Sequence, residues 1–277
     1  MNLLNPLNPL NIALIGAGNL AAHLGPALQA AGHHVVQVYS RTAGSATALA
    51  ARLGCGWTTE VAGITARAEL YVFSVRDAVL GELAERVFSS LENLGGGVGE
   101  RREGPGALFV HTAGSMPVDV LPAPRRGVLY PMQTFSKQRP LRFSEIPVFV
   151  ESPTDEAMLL ELASQLSERP SVLDGERRRR LHLAAVFACN FANHVYDLSS
   201  RILEEVGLPF EVMLPLIDET ARKVHDLPPR LAQTGPAVRY DQNVMRRHLE
   251  LLGEGVEREI YELLSRSIHD RLRPDQD

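Results

Sequence analysis

A glycine-rich turn near the N-terminus is the first feature of this sequence that could do chemistry. Residues 16–21 read Gly-Ala-Gly-Asn-Leu-Ala and follow a short apolar run. In the pattern G-x-G-x-x-A, Gly16 permits a tight bend, Gly18 lets the backbone approach a pyrophosphate, and Ala21 lets helix and strand pack closely. The next helix then points its N-terminus at the phosphates. The turn predicts a dinucleotide site; the alternative is a glycine-punctuated turn that binds another ligand.

The end of the second predicted strand indicates which dinucleotide is bound. An NAD site usually carries a carboxylate there for the ribose 2′-hydroxyl. This chain instead has Ser40, Arg41 and Thr42. A guanidinium suits a 2′-phosphate through its charge and paired hydrogen bonds, and the hydroxyls add donors. The sequence therefore predicts NADP(H), unless Arg41 is a solvated loop arginine.

Polar clusters follow three later strands, at the edge where parallel strands present ligands. The clusters at residues 74–77 and 111–115 are predicted to extend the cofactor site, and the cluster at 130–136 to face the substrate. For His111, the alternative is a histidine satisfied by the backbone. The predicted cofactor-binding residues are Gly16, Ala17, Gly18, Asn19, Leu20, Ser40, Arg41, Thr42, Ser74, Val75, Arg76, His111, Thr112 and Gly114. The predicted substrate residues are Gln133, Thr134 and Arg239.

A long helical pattern carries a polar stripe. At about 100° per residue, His182, Cys189 and Asn193 share one side, with Asn190 at its edge. As a catalytic face, the stripe supplies His182 as the proton donor and Asn190 or Asn193 as the group that holds a carbonyl. The alternative is a polar seam between helices or subunits, because buried polar groups need partners.

A run of four arginines precedes that stripe, at residues 177–180. The run could attract an anionic substrate, but a solvated start of the helix is the favoured interpretation. Further along, Thr234, Gly235 and Pro236 form a turn, after which Arg239 is a candidate for the substrate cleft.

Alternating strands and helices position these groups. Apolar strand patterns at residues 11–15, 34–39, 69–75 and 107–110 alternate with Ala- and Leu-rich helical patterns, as in a doubly wound, mostly parallel sheet. Strand patterns at 147–150 and 171–173, on either side of a helix, are expected to extend that sheet. From residue 175 onward the pattern is helical. We therefore predict a Rossmann domain over residues 1–174 and an all-α domain over 175–277.

Composition narrows the classes of function. The chain has 277 residues, 45% of them hydrophobic and 22% charged, and a net charge of −5. This charge argues against general binding of nucleic acid. The two cysteines, Cys55 and Cys189, give neither a disulfide framework nor metal-ligand spacing, so no metal site is predicted. We find no signal peptide pattern and no apolar run of membrane-spanning length, and expect a cytoplasmic protein without membrane partners.

The sequence resembles a bacterial family that joins a Rossmann-like domain to a domain of unknown function, DUF2520. The resemblance covers nearly the whole chain. Its motifs lie at residues 16–19, 39–42, 73–77, 111–115, 131–136, 189–193 and 234–236, together with His182.

The resemblance implies an NADP-dependent oxidoreductase whose helical domain is similar to those of 6-phosphogluconate dehydrogenase and pyrroline-5-carboxylate reductase. It also implies a homodimer formed through that domain, and some relatives are linked to reduction of ketopantoate. Two residues depart from the family pattern: Tyr130 where a histidine is frequent, and Tyr240 where a glycine is frequent. The Lys-x-x-x-Asn pair of related dehydrogenases has no match, because Val186 follows His182 by four residues.

The sequence as a whole predicts an NADPH-dependent reductase of a small carbonyl compound, such as a 2-oxo acid, or of an imine. Hydride transfer is expected in a cleft between the two domains. The alternative is a non-enzymatic NADP(H)-binding sensor whose polar helix face is an interface.

Overall fold

The computed structural model of the chain describes residues 7–94, 100–101 and 104–272. It divides into two compact units, Met1–Cys189 and Asn190–Asp277. The compositional boundary predicted at 174/175 lies at the start of a helix that belongs to the first unit. Among the described helices, none is long and apolar enough to cross a lipid bilayer.

The first unit contains a large sheet. In chain order the described strands are β1 (Asn11–Ile15), β2 (His34–Tyr39), β3 (Gly56–Thr58), β4 (Leu70–Phe73), β5 (Glu100–Arg101), β6 (Gly104–Pro105), β7 (Leu108–His111), β8 (Arg126–Pro131), β9 (Val148–Glu151) and β10 (Pro170–Val172). Eight of these described strands form one sheet in the order β10-β9-β8-β7-β4-β1-β2-β3, while β5 and β6 pair separately. From β3 to β8 neighbouring strands are parallel, and β9 is antiparallel to β8. This is the doubly wound order, so the predicted fold is confirmed.

An α-helix follows each of β1, β2, β4, β9 and β10, as predicted. Those described are α1 (Asn19–Ala30), α2 (Ala43–Leu53), α3 (Asp77–Asn93), α4 (Glu156–Leu166), α5 (Gly175–Ala185), α6 (Ala192–Glu204), α7 (Leu214–Asp226), α8 (Pro229–Ala232), α9 (Pro236–Arg239), α10 (Gln242–Leu252) and α11 (Val256–Leu272). The long helical pattern near residue 190 is one continuous stretch in which Val186–Phe191 has π-helical geometry between α5 and α6.

The sheet has an apolar core on each face because alternate residues of a strand point to opposite sides. Along β1, Ile12 and Leu14 join the cluster that contains residues of α1, α2 and α4. Ala13 and Ile15 join the other cluster, which contains residues of α3. Both faces of β1 are therefore covered, which explains why its sequence is a continuous apolar run rather than an alternating one.

The second unit is helical and leaves many apolar side chains at its surface. Leu251 is 83% exposed, Leu231 is 71% exposed and Val206 is 67% exposed. Among the described residues of this unit, four are buried: Leu198, Leu203, Ala237 and Ser265. Taken by itself, this unit has little apolar core for its length.

Candidate functional site

A cavity of about 720 Å³ opens at the carboxyl ends of the strands in the first unit. Its walls are built by the segments that follow β1, β2, β4 and β7, by the end of β8, and by α5. Among the predicted cofactor residues it is lined by Gly16, Ala17, Gly18, Asn19, Leu20, Ser40, Arg41, Thr42, Ser74, Val75, Arg76, Thr112 and Gly114. The sheet topology therefore brings thirteen of these residues, from four separate segments, to one site.

The turn between β1 and α1 has room for a phosphate. Gly16 has a φ of +118°, and a methyl group there would overlap the carbonyl oxygen of Ser74. By contrast, a Cβ built on Gly18 meets no atom within 4 Å. Gly18 is also the N-cap of α1, whose first turn has no acidic residue. The exposed amides and the positive end of the helix dipole can therefore accept an anion at the cavity wall.

The segment after β2 supplies a cation that has no partner among the residues that the structure describes. Arg41 is exposed, and its guanidinium forms no ion pair or hydrogen bond with the part of the chain that the structure describes. It lines the cavity next to Ser40 and Thr42. The site can therefore offer one guanidinium and two hydroxyl groups to a ligand at this end of the cavity.

The charged side chains around the cavity are mostly basic. The basic residues that line it are Arg41, Arg76, Arg86 and Lys137, and the acidic ones are Asp77 and Glu82. Glu82 pairs with Arg86 across 3.9 Å at the surface, while Asp77 accepts a hydrogen bond from the hydroxyl of Ser115. The chain carries a net charge of −5, but the cavity itself is suited to an anionic ligand.

His111 lies behind the cavity rather than on its wall. Its side chain is fully buried. Nε2 lies 3.2 Å from the carbonyl oxygen of Pro117, and Nδ1 accepts a hydrogen bond from the amide of Ala113. Burial, and next the charge of Arg178, lower the pKa of His111 to about 4. The ring is therefore neutral at pH 7 and braces the loop at residues 111–117, which is the second of the two interpretations that the sequence left open.

Residues from three segments of the chain meet at another part of the cavity wall. The hydroxyl of Tyr130, on β8, lies 3.1 Å from Nδ1 of His182, on α5. The two rings stand edge to face at 74°. A Cβ built on Gly114 would lie 2.5 Å from Nδ1 of His182 and 2.9 Å from Cζ of Tyr130. Only a residue without a side chain allows this pair to pack against the loop after β7.

Arg178 connects the same loop to α5. Its side chain is fully buried, and Nη1 donates to the carbonyl oxygens of Ala113 at 2.8 Å, Gly114 at 3.0 Å and Met116 at 2.8 Å. Nη2 forms an ion pair with Glu151 at 2.9 Å. The interpretation of the arginine run as a solvated helix start is therefore wrong for Arg178. The residues around it, Arg177, Arg179 and Arg180, are exposed.

The remaining predicted site residues lie elsewhere. Gln133 and Thr134 are exposed in the loop after β8 and are not among the residues that line the cavity. The side chain of Gln133 accepts a hydrogen bond from the amide of Thr134. Asn190 and Asn193 belong to the second unit, as does Arg239 on α9, and all three are exposed in the chain. Their predicted roles remain predictions.

Sequence reasoning gave no individual role to several residues that line the cavity, among them Tyr130 and Lys137. Tyr130 was placed in the cluster at 130–136 and noted as a departure from a family pattern, but it was given no role of its own, and Lys137 was not singled out, yet both line the cavity. A signal existed for Tyr130, because a polar hydroxyl ends an apolar run at the carboxyl end of a strand. No comparable local pattern marked Lys137, which stands in an irregular loop.

Comparison with known proteins agrees with this architecture. A family model for a Rossmann-like domain matches residues 5–133, and the model for the domain of unknown function DUF2520 matches residues 146–268. A comparison with curated proteins finds no significant match.

Solved structures resemble the chain over nearly its full length. A provisionally named NADP oxidoreductase from Bacteroides fragilis is 50% identical, with a TM-score of 0.86, and the match covers 95% of this chain and 99% of that one. A Thermotoga maritima protein is 22% identical, with a TM-score of 0.72 and coverage of 94% and 99%. An imine reductase from Myxococcus stipitatus, solved in complex with NADP⁺, is 17% identical, with a TM-score of 0.62 and coverage of 95% and 93%. At these lower identities the likeness shows the fold.

Proposed function

Since this chain belongs to the family that joins a Rossmann-like domain to a DUF2520 domain, we propose that it is an NADP(H)-dependent oxidoreductase that reduces a small carbonyl or imine compound. One observation carries the proposal. A single cavity combines the open phosphate cradle at Gly18 and Arg41, which has no partner among the described residues, with a hydrogen-bonded Tyr130–His182 pair. The first two features suit a phosphorylated dinucleotide, and the pair suits proton transfer.

The described residues fit the cofactor at the level of chemistry. The empty space beside Gly18 and the amides at the start of α1 would hold the pyrophosphate. Arg41, with Ser40 and Thr42, would hold the 2′-phosphate. NADP is also the ligand named with the imine reductase of the same fold, and NADP appears in the description of the Bacteroides fragilis protein.

When bound, the reduced nicotinamide would supply a hydride to the substrate. The task of the chain is then to orient the substrate and to supply the proton that balances the product. His182 is the proposed proton donor because its imidazole lines the cavity and imidazole is the side chain that most often acts as a general acid or base. Asn190 and Asn193 are proposed to hold the carbonyl or imine group, and Gln133, Thr134 and Arg239 to contact the substrate.

The substrate proposal rests on the relatives. The structural neighbours include imine reductases and a pyrroline-5-carboxylate reductase from Coxiella burnetii. We therefore propose cyclic imines and 2-oxo acids such as ketopantoate as the compounds to test.

The decisive experiment follows the absorbance of NADPH at a wavelength where only the reduced form absorbs. The purified chain is incubated with NADPH and, separately, with ketopantoate, other 2-oxo acids, 1-pyrroline and pyrroline-5-carboxylate. We expect oxidation with at least one compound, and His182→Ala to lower that rate by about 100-fold or more while the Kd for NADPH stays within a factor of two. Tight binding of NADPH without oxidation by any compound would instead favour a sensor or binding protein.

We also propose that the protein is a homodimer assembled through its helical unit. The argument is the exposure of large apolar side chains there, of which Leu251, Leu231 and Val206 are the extreme cases. Large apolar side chains left exposed in this number suit an interaction surface. Sedimentation equilibrium across a range of concentrations should give twice the mass of the chain, and Leu231→Glu should shift the equilibrium towards monomer if its face is covered. A monomer at all concentrations would contradict the proposal.

A further inference from the structure

The two ring nitrogens of His182 differ in their hydrogen bonding. Nδ1 of His182 lies 3.1 Å from the Tyr130 hydroxyl. Nε2 of the same ring has no hydrogen-bond partner among the described residues, and the ring lines the cavity. One nitrogen is therefore held by the protein, while the other remains free to meet a ligand.

A hydroxyl is suited to this position because it both donates and accepts. When the ring is neutral with its proton on Nε2, the Tyr130 hydroxyl donates to Nδ1. When the ring is an imidazolium, Nδ1–H donates to the Tyr130 oxygen instead. A single contact at the same distance can therefore hold the ring in both protonation states, with only a rotation of the O–H bond.

The surroundings fix both partners. The backbone of Gly114 packs directly against the two side chains, with no space for a methyl group. The Gly114 carbonyl is in turn bound by Arg178, which lies one helical turn before His182 on α5. Residues four apart on a helix lie on the same side. The buried arginine therefore anchors the part of α5 that carries His182 to the loop on which the pair rests.

We propose that Tyr130 is a positioning residue that reserves Nε2 of His182 for proton exchange with the substrate, an inference that rests on the proposed function. In each turnover the imidazolium releases the Nε2 proton to the oxygen or nitrogen atom of the substrate. Its Nδ1–H bond to Tyr130 is retained. A proton from solvent then restores the imidazolium, so the tyrosine hydroxyl stays protonated throughout.

The first test needs no substrate. Two-bond ¹H–¹⁵N spectra of the full chain, with ¹⁵N-labelled histidine, report which nitrogen of each neutral ring carries the proton. The chain has nine histidines, and comparison with His182→Gln assigns the signal of interest. We expect Tyr130→Phe to shift the Nδ1 resonance of His182 more than its Nε2 resonance, because only Nδ1 contacts the Tyr130 hydroxyl. An Nδ1 resonance that is unchanged in Tyr130→Phe, or a shift confined to Nε2, overturns the proposal whether or not the protein turns over a substrate.

The second test uses NADPH oxidation with 1-pyrroline and with ketopantoate. Loss of one hydrogen bond should lower kcat of Tyr130→Phe by about 10-fold, with the KM for NADPH within a factor of two. The helical unit provides a matched control, because the hydroxyl of Tyr261 lies 2.9 Å from Nδ1 of His248 in a similar edge-to-face pair. Tyr261→Phe should change neither constant. Equal losses in the two variants, or a Tyr130→Phe effect confined to KM, contradict the positioning role.

Discussion

The two ends of the cavity are built in different ways. The end proposed to bind the phosphates, here called the phosphate end, consists of residues 16–20 and 40–42, two short stretches that directly follow strands β1 and β2. The end proposed to carry the reaction, here called the reactive end, joins Gly114, Tyr130 and His182, which lie on three different segments of the chain. The first end depends on backbone conformation and on one exposed cation. The second depends on side-chain packing, so it should be the more easily disturbed by substitutions outside the cavity wall.

The largest expected effect concerns the backbone of the phosphate end. Gly16→Ala should lower the free energy of unfolding by about 4 kcal/mol, because the positive φ of Gly16 and the overlap of a methyl group with Ser74 each cost energy. Urea denaturation followed by circular dichroism measures this loss.

Gly18→Ala is the matched control for that change. No atom lies within 4 Å of a Cβ at Gly18, so stability should stay within about 0.5 kcal/mol of wild type. The same methyl group would occupy the space assigned to the pyrophosphate, and the Kd for NADPH should rise. A stability loss equal to that of Gly16→Ala would show that both glycines are needed only for the fold.

Acid should lower the free energy of unfolding through His111, which braces the loop that carries Gly114 of the reactive end. His111 has a folded-state pKa of about 4, below its ordinary value, because it is buried neutral. Its contribution is therefore complete above about pH 6.5 and is lost as the pH falls towards 4, by about 3 kcal/mol at most. In His111→Gln, the free energy of unfolding should fall less steeply over this range.

His33 should cause part of the pH dependence of stability that remains in His111→Gln. Burial also lowers its pKa, opposed by a hydrogen bond with Gln165, so some acid sensitivity should persist in His111→Gln. An unchanged slope between wild type and His111→Gln would mean that His111 is not held neutral behind the loop.

Substitution at the glycine of the reactive end should have an intermediate effect. Gly114→Ala introduces a methyl group into contact with His182 and Tyr130, which should cost about 2 kcal/mol of stability. Unlike Gly18→Ala, it should also alter the ¹⁵N resonances of His182. If those resonances stay unchanged, the loop after β7 does not position the pair.

The smallest expected effect distinguishes the two nicotinamide cofactors. Arg41→Ala should raise the KM for NADPH by about 10-fold and leave the KM for NADH nearly unchanged, since only NADPH carries the 2′-phosphate. Arg67→Ala, at another exposed arginine outside the cavity lining, is the control. Equal changes for both cofactors would contradict the assignment of Arg41.

Much of this molecule could be predicted from local patterns. The doubly wound, mostly parallel sheet follows from alternating strands and helices with short connections, and the family prediction is confirmed. The short strand β3 was not predicted, since Gly56–Thr58 offers too few residues for a periodic pattern. The role of Arg178 was also missed, because four successive arginines are typical of a solvated helix face. Which of the four is buried depends on how α5 packs against the rest of the protein.

The sequence by itself determined the Rossmann fold and picked out the two stretches that line the proposed phosphate end of the cavity. Both depend on neighbouring residues, whose glycine spacing and missing carboxylate can be read along the chain. Only the tertiary structure decided the reactive end: that His111 braces a loop, that Arg178 is buried, and that Tyr130 meets His182. Those outcomes depend on contacts between elements distant in sequence, where burial and packing, rather than local conformational preference, fix each side chain.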